Sequence, residues 1–428
     1  MTAAEDSAGR RQAILLLERA AQDANAPMDG LVQLVALYRL EDRLDEALIA
    51  GLNAVERYAR LPGPFFALGM VHVERAEFDQ AIGCFLRALA RNPDFPAAHL
   101  ELGHILLLRG EFAAGWREYE WRFRLEATRN LLPKFPAPAW NGMRLPAGRI
   151  LLIGDQGYGD TIQFARFMPA VAERCAEILG GCSPELLPVI APIAGPARCY
   201  TRWEELPPFD AFAPLSSLPY LLGIDLASIP APIPYLKPDS SSVERWAMRL
   251  GSSNQAALRV GIAWAGRPTH PNDRLRSVRW WDFEPLAQIQ GVSLYSLQKN
   301  ISALDQPAVD QPNFGIGGVT DLAAELTDFG AAAAAIANLD LVITVDTALA
   351  HLAGALGKPV WILLPLVPDW RWMLDREDSP WYPTARLFRQ KIRGAWAPVI
   401  TEVAAELRAV AEGDRRRLMP VPGVKASR

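Results

Sequence analysis

Cysteine is scarce in this chain of 428 residues, and the few that occur do not form a ligand set. No C-x-x-C pair is present, and no group of cysteine and histidine has the spacing of a zinc site. We therefore expect buried free thiols, as in proteins of a reducing compartment, and a cytoplasmic location. The four cysteines are Cys84, Cys175, Cys182 and Cys199.

Long apolar runs and an excess of either charge are also missing. No segment approaches the about 18–20 uncharged residues that cross a bilayer, and residues 1–23 lack the layout of a signal peptide. The 44 basic residues nearly balance the 48 acidic ones, and the net charge is −4. This composition indicates neither nucleic acid nor an anionic membrane as a partner. No D-x-D sequence occurs, so we expect no metal bridging a diphosphate, and no other cofactor.

The first third of the chain repeats itself every 34 residues, the period of the tetratricopeptide repeat. Leu68, Gly69 and Ala81 have identical counterparts 34 residues earlier or later. Small residues at fixed points let two antiparallel helices approach closely, and each pair exposes an apolar side that its neighbour covers. Three successive segments share this pattern at the same spacing of 34 residues, which disfavours an ordinary helical bundle. After a half unit, the predicted units are residues 28–61, 62–95 and 96 to about 125.

Such repeats form a curved array, and its concave surface is predicted to be apolar here. Two uses fit this surface. It could hold a helix or segment of a partner protein, or it could dock on the second part of the same chain. The residues expected on it are Phe66, Met70, Val73, His104 and Leu107.

The rest of the chain alternates short aliphatic segments with helical patterns. This alternation implies parallel sheets with helices on both faces. Helical patterns include DTIQFARFMPAVAERC and LAAELTDFGAAAAAIANL, and the proline-rich IPAPIPYLKPDSSSVERW reads as a connection between two lobes. The segments predicted as buried parallel strands are RILLIG, LRVGIAWAG, VSLYSLQ, LDLVITV and PVWILLP.

The predicted organisation is therefore an α-solenoid followed by two Rossmann-like α/β lobes. Two open α/β lobes form a cleft at the carboxyl ends of their strands, so functional residues are expected in the loops that follow strands. The predicted limits are a repeat domain at 1–125, a linker at 126–145, a first lobe at 146–235, an interlobe linker at 236–254, a second lobe at 255–415 and a flexible tail at 416–428.

The loop GDQGYGDTIQF follows the first strand of the first lobe, and its glycines predict a tight turn before a helix. Two roles fit Asp160 at the end of this turn. It could serve only as the cap of the helix N-terminus. Alternatively, it could face the cleft as a general base, since enclosure raises the basicity of a carboxylate.

The loop AWAGRPTHPNDRLRS follows the first strand of the second lobe. Arg267, Arg274 and Arg276 bring cations to the strand end beside Gly266, which suits a phosphate or pyrophosphate. A solvated loop with surface charges is the alternative.

The segment VDTALAHLAGALGKPV follows another strand of the second lobe. Asp346 or Thr347 is expected to cap the helix, whose free backbone N–H groups would form an anion site. Thr347 and His351 lie four residues apart and share one helix face. The alternative is a capped core helix with a buried histidine. Further on, a tryptophan-rich segment, residues 364–383, could wall the cleft or cover the sheet edge.

Together these segments resemble the heptosyltransferase-type glycosyltransferases, in particular bacterial proteins that fuse tetratricopeptide repeats to such a catalytic part. The resemblance covers about residues 28–395. It rests on GYGDTIQFARF, VGIAWAGRPTHPNDRLRS, SLQK and VDTALAHLAGALGKPVWILLP. The chain departs from the pattern at Ala348, where glycine is commoner, and at Asp155 and Tyr158, where the fused proteins more usually have Glu and Leu.

The resemblance implies a GT-B fold and a nucleotide-sugar donor. Our hypothesis for the reaction is an inverting transfer, and the lack of D-x-D predicts that it needs no metal. The resemblance implies Asp160 as base, with His351 also in the catalytic set. It places Arg274, Gln298, Lys299, Asp346, Thr347 and Ala348 on the donor side. It places Gln156, Gly157, Tyr158 and Gly159 on the acceptor side.

Three functions fit these expectations. The first is glycosylation of a protein, such as a flagellar or surface protein, that the repeats recruit. The second is transfer to a cell-surface saccharide, with the repeats mediating assembly. The third is a non-catalytic scaffold, which an intact set of Asp160, Thr347 and His351 disfavours.

Overall fold

The computed structural model describes residues 3–23, 25–128, 132–195, 198–230, 232–251, 257–270, 272–299 and 318–421. The chain divides into two compact units, Met1–Leu131 and Leu132–Arg428. The first unit is helical, and the second contains two parallel sheets. The finer domain limits given above stay predictions. Within the described ranges, no helix combines the length and apolar composition needed to span a bilayer.

The helices of the first unit follow the predicted repeat. The first helices of successive pairs begin at Met28, Pro62 and Pro96, each 34 residues apart, and the second helices keep the same spacing. The described helices are α1 (Ala3–Ala21), α2 (Met28–Leu40), α3 (Leu44–Arg57), α4 (Pro62–Glu74), α5 (Phe78–Arg91), α6 (Pro96–Leu108) and α7 (Phe112–Tyr119).

Small residues set the distance between paired helices. A Cβ atom built on Gly69 would lie 2.5 Å from Phe85 Cε1, so α4 and α5 touch only because Gly69 has no side chain. Ion pairs between neighbouring units repeat in register as well. Arg75 bonds Asp45 at 2.5 Å, and 34 residues later Arg109 bonds Asp79 at 2.7 Å. The period therefore extends from the core to the surface.

Leu107 does not lie on an open concave surface, which corrects the prediction for that residue. Its side chain is fully buried, and its Cγ lies 2.7 Å from where a Cβ on Gly115 would stand, so it packs between α6 and α7. Phe66, Met70 and Val73 are half-buried against the core around Phe85. His104 keeps 37% of its side chain exposed.

Replacing Gly69 with alanine should lower the free energy of unfolding by about 1–3 kcal/mol, since the new methyl group would overlap Phe85. Gly83 provides the matched control, because it is also helical and a Cβ atom there would have nothing within 4 Å. Gly83→Ala should stabilise by up to about 1 kcal/mol through helix propensity. Urea unfolding of both variants measures the difference. Equal effects would contradict close packing at Gly69.

The second unit contains a four-stranded sheet and a six-stranded sheet. The first has the order β3-β2-β1-β4 and the second β10-β9-β8-β5-β6-β7, and all pairings are parallel. The strands are β1 (Leu145–Ile153), β2 (Cys175–Gly181), β3 (Cys199–Tyr200), β4 (Ala211–Pro214), β5 (Leu258–Ala263), β6 (Val292–Ser296), β7 (Val319–Asp321), β8 (Leu341–Val345), β9 (Val360–Leu364) and β10 (Ala385–Arg389).

Helices connect these strands, as parallel pairing requires. The two α/β lobes form the predicted GT-B fold. The second-lobe core joins β5, β8 and β9 to the last helix. The α-helices are α8 (Tyr158–Phe164), α9 (Met168–Ala172), α10 (Leu187–Ala194), α11 (Leu218–Leu221), α12 (Ser240–Leu250), α13 (Asp273–Arg276), α14 (Glu284–Ala287), α15 (Phe329–Ala337), α16 (Ala348–Ala355) and α17 (Ala397–Ala411).

Three predicted segments differ in local structure. The helix expected over DTIQFARFMPAVAERC breaks into α8, a 3-10 turn and α9, because Pro169 lacks the N–H that would continue the helix. The long alanine-rich helix starts only at Phe329, since Asp328 caps it by accepting from the Ala331 N–H at 2.8 Å. The predicted interlobe linker contains α12, which Asp239 caps through the Ser242 N–H.

The first lobe also has three strands that were not predicted, β2, β3 and β4. The predicted tail is described only as far as residue 421. Within it the Leu418 carbonyl accepts a hydrogen bond from Trp361 Nε1 at 3.1 Å. Residues 422–428 lie outside the described residues.

Candidate active site

A cleft of about 490 Å³ lies between the two lobes of the second unit, where loops from both sheets meet. Its wall in the first lobe comes from the loop after β1 and from Glu185 after β2, and its wall in the second lobe comes from segments after β5, β6, β7, β8 and β9. The lining residues include Gly157, Tyr158, Gly159, Asp160, Glu185, Gly266, Arg267, His270, Arg276, Gln298, Lys299, Asp328, Phe329, Asp346, Thr347, Ala348, His351, Asp369 and Arg371.

Asp160 is the third residue of helix α8, and it reaches back to the helix start. Its Oδ2 accepts a hydrogen bond from the Gly157 N–H at 2.9 Å, which satisfies one of the unpaired donors of the helix N-terminus. Asp160 therefore supports the helix N-terminus from its third position, whereas the cap residue itself is Gly157 and not Asp160. It does not exclude a second role, because Asp160 also lines the cleft and 24% of its side chain stays exposed.

Arg371 reaches Asp160 from the other lobe. The sequence places it in the tryptophan-rich segment but indicates no contact with Asp160. It lies in the 3-10 turn after β9, and its Nη2 donates to Asp160 Oδ1. Its Nε donates to Gln163 Oε1 at 2.5 Å and its Nη1 to Asp369 Oδ1 at 2.9 Å. One buried guanidinium thus joins two carboxylates and an amide across the cleft. The tryptophan-rich segment contributes to the cleft wall through this residue.

Thr347 occupies the cap position at the start of α16, but its side chain makes no capping hydrogen bond. Its hydroxyl lies 3.1 Å from that of Thr344 instead. Asp346 precedes the cap, and its backbone carbonyl accepts from Arg276 Nη1 at 2.9 Å. The Ala350 N–H bonds the Thr347 carbonyl at 3.0 Å. Among the described contacts, no hydrogen bond uses the N–H groups of Ala348 and Leu349, and both residues line the cleft.

His351 lies one turn further along α16 and is 5% exposed. Its Nδ1 lies 2.9 Å from the Tyr382 hydroxyl, and its ring stacks on Trp372 at 5.3 Å between centroids. A Cβ atom on Gly159 would lie 2.7 Å from His351 Cδ2, so the glycine loop of the first lobe packs directly on this histidine. Only glycine fits at position 159.

The cleft shifts the pKa values of several lining residues, and the shifts of His351 and Asp346 are large. Burial, reinforced by the positive charge of Arg371, lowers the pKa of His351 to about 3, so the ring is neutral near pH 7. Burial, reinforced by the neighbouring Asp369 carboxylate, raises the pKa of Asp346 to about 6. Shifts of this kind cluster at functional sites, although structural networks also produce them.

The loop after β5 presents Arg276 to the cleft, whereas Arg274 does not line it. Both belong to the short helix α13, and Arg274 is exposed while Arg276 turns inward over Gly266. A Cβ on Gly266 would lie 2.4 Å from Arg276 Nη2, so the glycine allows this approach. Arg267 also lines the cleft, as the cation pattern predicts.

Gln298 and Lys299 follow β6 and both line the cleft. The Gln298 side chain is buried and serves the loop itself. Its Oε1 accepts from the Trp264 and Ala265 N–H groups at 3.0 Å, and its Nε2 donates to the Ala265 carbonyl at 3.0 Å. Lys299 is exposed at the rim. The structure therefore assigns Gln298 a positioning contact with the neighbouring loop and leaves Lys299 facing the cleft.

The residues expected on the acceptor side lie at the mouth of the cleft. Tyr158 is 43% exposed and packs edge-on against Phe329 at 5.1 Å, with Glu185 beside it. Gly157 and Gly159 line the cleft, while Gln156 is exposed and does not. Among the described residues, no group of three or more His, Cys, Asp or Glu could hold a metal ion.

Stability should depend on pH through His351. Its pKa is about 3 in the fold and ordinarily 6.5, so the native state binds fewer protons than the unfolded chain between these values. The free energy of unfolding should then fall as the pH falls from 6.5 towards 3, by up to about 1.4 kcal/mol per pH unit. Asp346 acts in the opposite direction between pH 3.8 and about 6, because its pKa is raised.

The two effects separate in single variants. Between pH 7 and 4.5, His351→Gln should lose about 1–3 kcal/mol less stability than the wild type. Asp346→Asn should lose more than the wild type over the same interval. Urea unfolding at both pH values measures these differences. An unchanged pH dependence in His351→Gln would contradict a buried, neutral histidine.

The comparison with protein families concerns the region around α16. The pattern of glycosyltransferase family 9 (heptosyltransferase) matches residues 305–363, a range that contains β8, α16 and the start of β9. Its residues 305–317 lie outside the described residues. The chain thus combines helical repeats of the tetratricopeptide type with an α/β unit that is similar to the heptosyltransferases in the region around α16.

Protein FlbA of Caulobacter vibrioides is a relative of this fusion protein. It is 27% identical over 369 residues, which are 80% of this chain and 59% of FlbA. The chain therefore spans less than two thirds of that relative's length.

Two solved structures are similar to separate parts of the fusion. Escherichia coli ADP-heptose lps heptosyltransferase II has 16% identity and a TM-score of 0.42, with 62% of this chain and 99% of that one covered. A tetratricopeptide repeat protein of Parabacteroides merdae has 17% identity and a TM-score of 0.25, with 28% and 49% covered.

Proposed function

We propose that this protein transfers a sugar from a nucleotide-sugar donor to a hydroxyl group of an acceptor protein. The observation that carries the proposal is the meeting of two functional elements in one cleft. Asp160 enters from the first lobe, and the N-terminus of α16 with His351 enters from the second. A carboxylate opposite an anion-binding helix end suits transfer from a phosphate leaving group.

In this reaction Asp160 takes the proton of the acceptor hydroxyl while the acceptor oxygen attacks the anomeric carbon. The bond from that carbon to the donor phosphate oxygen breaks, and the nucleotide leaves with the electron pair. Attack on the face opposite the leaving group inverts the anomeric centre. The leaving charge is stabilised by backbone N–H groups at Thr347 and Ala348 and by the cations Arg276 and Lys299. These cations allow the transfer to proceed without a metal ion.

The magnitudes decide which groups matter most. A helix N-terminus contributes about 0.3–1 kcal/mol, and up to about 2 kcal/mol when partly buried. Enzymes lower barriers by at least about 8 kcal/mol. A positioned base contributes about 10²–10⁴-fold, and the remainder must come from holding donor and acceptor between the lobes. The proposal therefore depends on Asp160 more than on any single donor contact.

The ion pair with Arg371 fits this role if the guanidinium changes partners. Asp160 uses one oxygen for Arg371 and the other for Gly157, and a carboxylate has about four acceptor positions in all. A donor diphosphate would compete for the guanidinium, since arginine binds phosphate and carboxylate with the same planar set of donors. Donor binding would then free Asp160 for the acceptor hydroxyl.

The repeats are the proposed recruiting surface for the acceptor protein. Transfer to a cell-surface saccharide is the second candidate, and the heptosyltransferase family match favours it. Replacing Val73 and His104 with glutamate separates the two. Protein modification should fall while release of nucleotide from the donor continues. If saccharide transfer is the function, no protein should be modified, and sugar transfer to the saccharide should persist in the variant.

The donor is tested by thermal stability in the presence of ADP-, UDP-, GDP-, dTDP- and CMP-linked sugars. A donor at about 100 times its Kd should stabilise the protein by about 2.7 kcal/mol. The positive donor is then incubated with and without EDTA, and nucleotide release is measured. Release that depends on a divalent metal would contradict the metal-independent mechanism. Absence of any stabilising donor would contradict the proposed function.

A further inference from the structure

His351 is held by a group of aromatic and cationic side chains that the sequence motif does not contain. Tyr382 lies 31 residues further along the chain, and its hydroxyl is 2.9 Å from His351 Nδ1. Its ring is fully buried, and Gly354 makes room for it, since a Cβ there would lie 2.4 Å from the tyrosine ring. Arg166 of the first lobe lies over the same ring, 4.7 Å from its centroid.

The direction of the hydrogen bond follows from the available acceptors. A buried tyrosine O–H without an acceptor costs about 1–3 kcal/mol. Two acceptors lie within reach of the Tyr382 hydroxyl, His351 Nδ1 at 2.9 Å and the Tyr235 hydroxyl. The Tyr235 hydroxyl donates to the Ile162 carbonyl at 3.0 Å and already accepts from Arg166 at 3.3 Å. The imidazole nitrogen is a more basic acceptor than this phenol oxygen, which favours donation from Tyr382 to His351. Arg166 also bonds the Tyr382 oxygen. Because a guanidinium only donates, the Tyr382 oxygen is the acceptor in that bond, and its O–H remains available to donate to another group.

If the Tyr382 O–H donates a hydrogen bond to Nδ1, then Nδ1 carries no proton. The second ring nitrogen must then be protonated, because a neutral imidazole has one donor and one acceptor nitrogen. That nitrogen, Nε2, makes no hydrogen bond among the described residues. It stands 3.4 Å from where a Cβ on Gly159 would lie, and both residues line the cleft.

We propose that Tyr382 is a positioning residue that holds His351 as the neutral Nε2–H tautomer, so that Nε2–H is a hydrogen-bond donor to an anionic phosphate oxygen in the cleft. The choice of ligand rests on the proposed function, whereas the tautomer does not. A neutral donor adds no charge to the cleft, and its direction is fixed by a side chain from the tryptophan-rich segment. The same segment supplies Arg371, so it orients residues on both lobes.

Nitrogen NMR of protein labelled with ¹⁵N-histidine tests the tautomer without any substrate. The His351 signals are assigned by their loss in His351→Gln. At pH 7 we expect a protonated Nε2 and an unprotonated Nδ1 whose signal shows an accepted hydrogen bond. In Tyr382→Phe the ¹⁵N chemical shift of His351 Nδ1 should move to the value of an unprotonated imidazole nitrogen that accepts no hydrogen bond. Tyr295→Phe is the control, since Tyr295 is also buried in the second lobe and should leave both signals unchanged.

A protonated Nδ1 in the wild type would overturn the proposal, and this result needs no variant that must fold. An Nδ1 signal unchanged in Tyr382→Phe would also overturn it. Adding inorganic pyrophosphate should shift the Nε2–H signal. Absence of a shift would contradict the proposal that Nε2–H binds an anionic ligand. If the tautomer is as expected but no nucleotide sugar stabilises the protein, the proposed function fails alone.

Discussion

Replacing Asp160 with asparagine should lower turnover about 100-fold or more while the donor still binds. Asparagine can still accept the hydrogen bond from Gly157, but it cannot take a proton from an acceptor hydroxyl. The fold should tolerate the change, because Arg371 keeps Asp369 and Gln163 as partners. Turnover is measured as nucleotide release, and donor binding as the thermal shift.

Asp155→Asn is the matched control for this experiment. Asp155 belongs to the same loop, but its carboxylate bonds the Ser216 N–H at 3.2 Å and the Ser216 hydroxyl at 2.5 Å. Its loss should disturb the loop without removing a base. If Asp155→Asn lowers turnover as much as Asp160→Asn, the effect comes from loop structure. Equal turnover of Asp160→Asn and the wild type would remove Asp160 as the base.

Replacing His351 with alanine should lower turnover about 100-fold, because removal of one preorganised donor to a developing anion has an effect of about 10²–10³-fold. The protein should remain folded, since the change removes a neutral ring from the cleft edge of the core. Steady-state turnover and melting temperature are measured together. His72→Ala is the control, because His72 is a half-buried histidine bound to Glu77 within the repeats.

The ratio of the two effects of His351→Ala distinguishes a ligand from a core histidine. A large loss of turnover with a small change in melting temperature supports a ligand. If the variant mainly melts earlier and turns over normally when folded, His351 is a core residue. The capped core helix considered from the sequence would then be the correct interpretation.

The repeat helices could be predicted from the sequence because their contacts are close in the chain and recur at a fixed period. Gly69 and Phe85 are 16 residues apart, and each unit repeats the pattern. Leu107 was placed wrongly because the period identifies the helix pair but not how closely α6 and α7 approach. Gly115 allows the close approach of these two helices, but the sequence does not show that its neighbour across the contact is Leu107.

Strands that frame the cleft could be predicted because β8 and β9 are nearly continuous apolar runs and β1 and β5 end in such runs, while β6 has a shorter apolar signal. The strands β2, β3, β4, β7 and β10 were not named in advance. Several of these are short or contain glycine, proline or charged residues, and therefore lack that signal.

The candidate site was found in part because its two motifs follow strands directly. Asp160 and His351 line one cleft although 191 positions separate them in the sequence numbering. Arg371 and Tyr382 were not assigned roles because their partners come from other elements, Asp160 lying 211 residues away. The choice between Arg274 and Arg276 depends on which side of the short helix α13 faces inward, and charge spacing does not determine this.

The most direct test of the central claim is nucleotide release from the nucleotide-sugar panel by the full chain, with Asp160→Asn measured beside the wild type. The account predicts that the wild type releases nucleotide from at least one donor and that the variant releases it about 100-fold more slowly. Release at equal rates, or no release from any donor by the folded wild type, would contradict it.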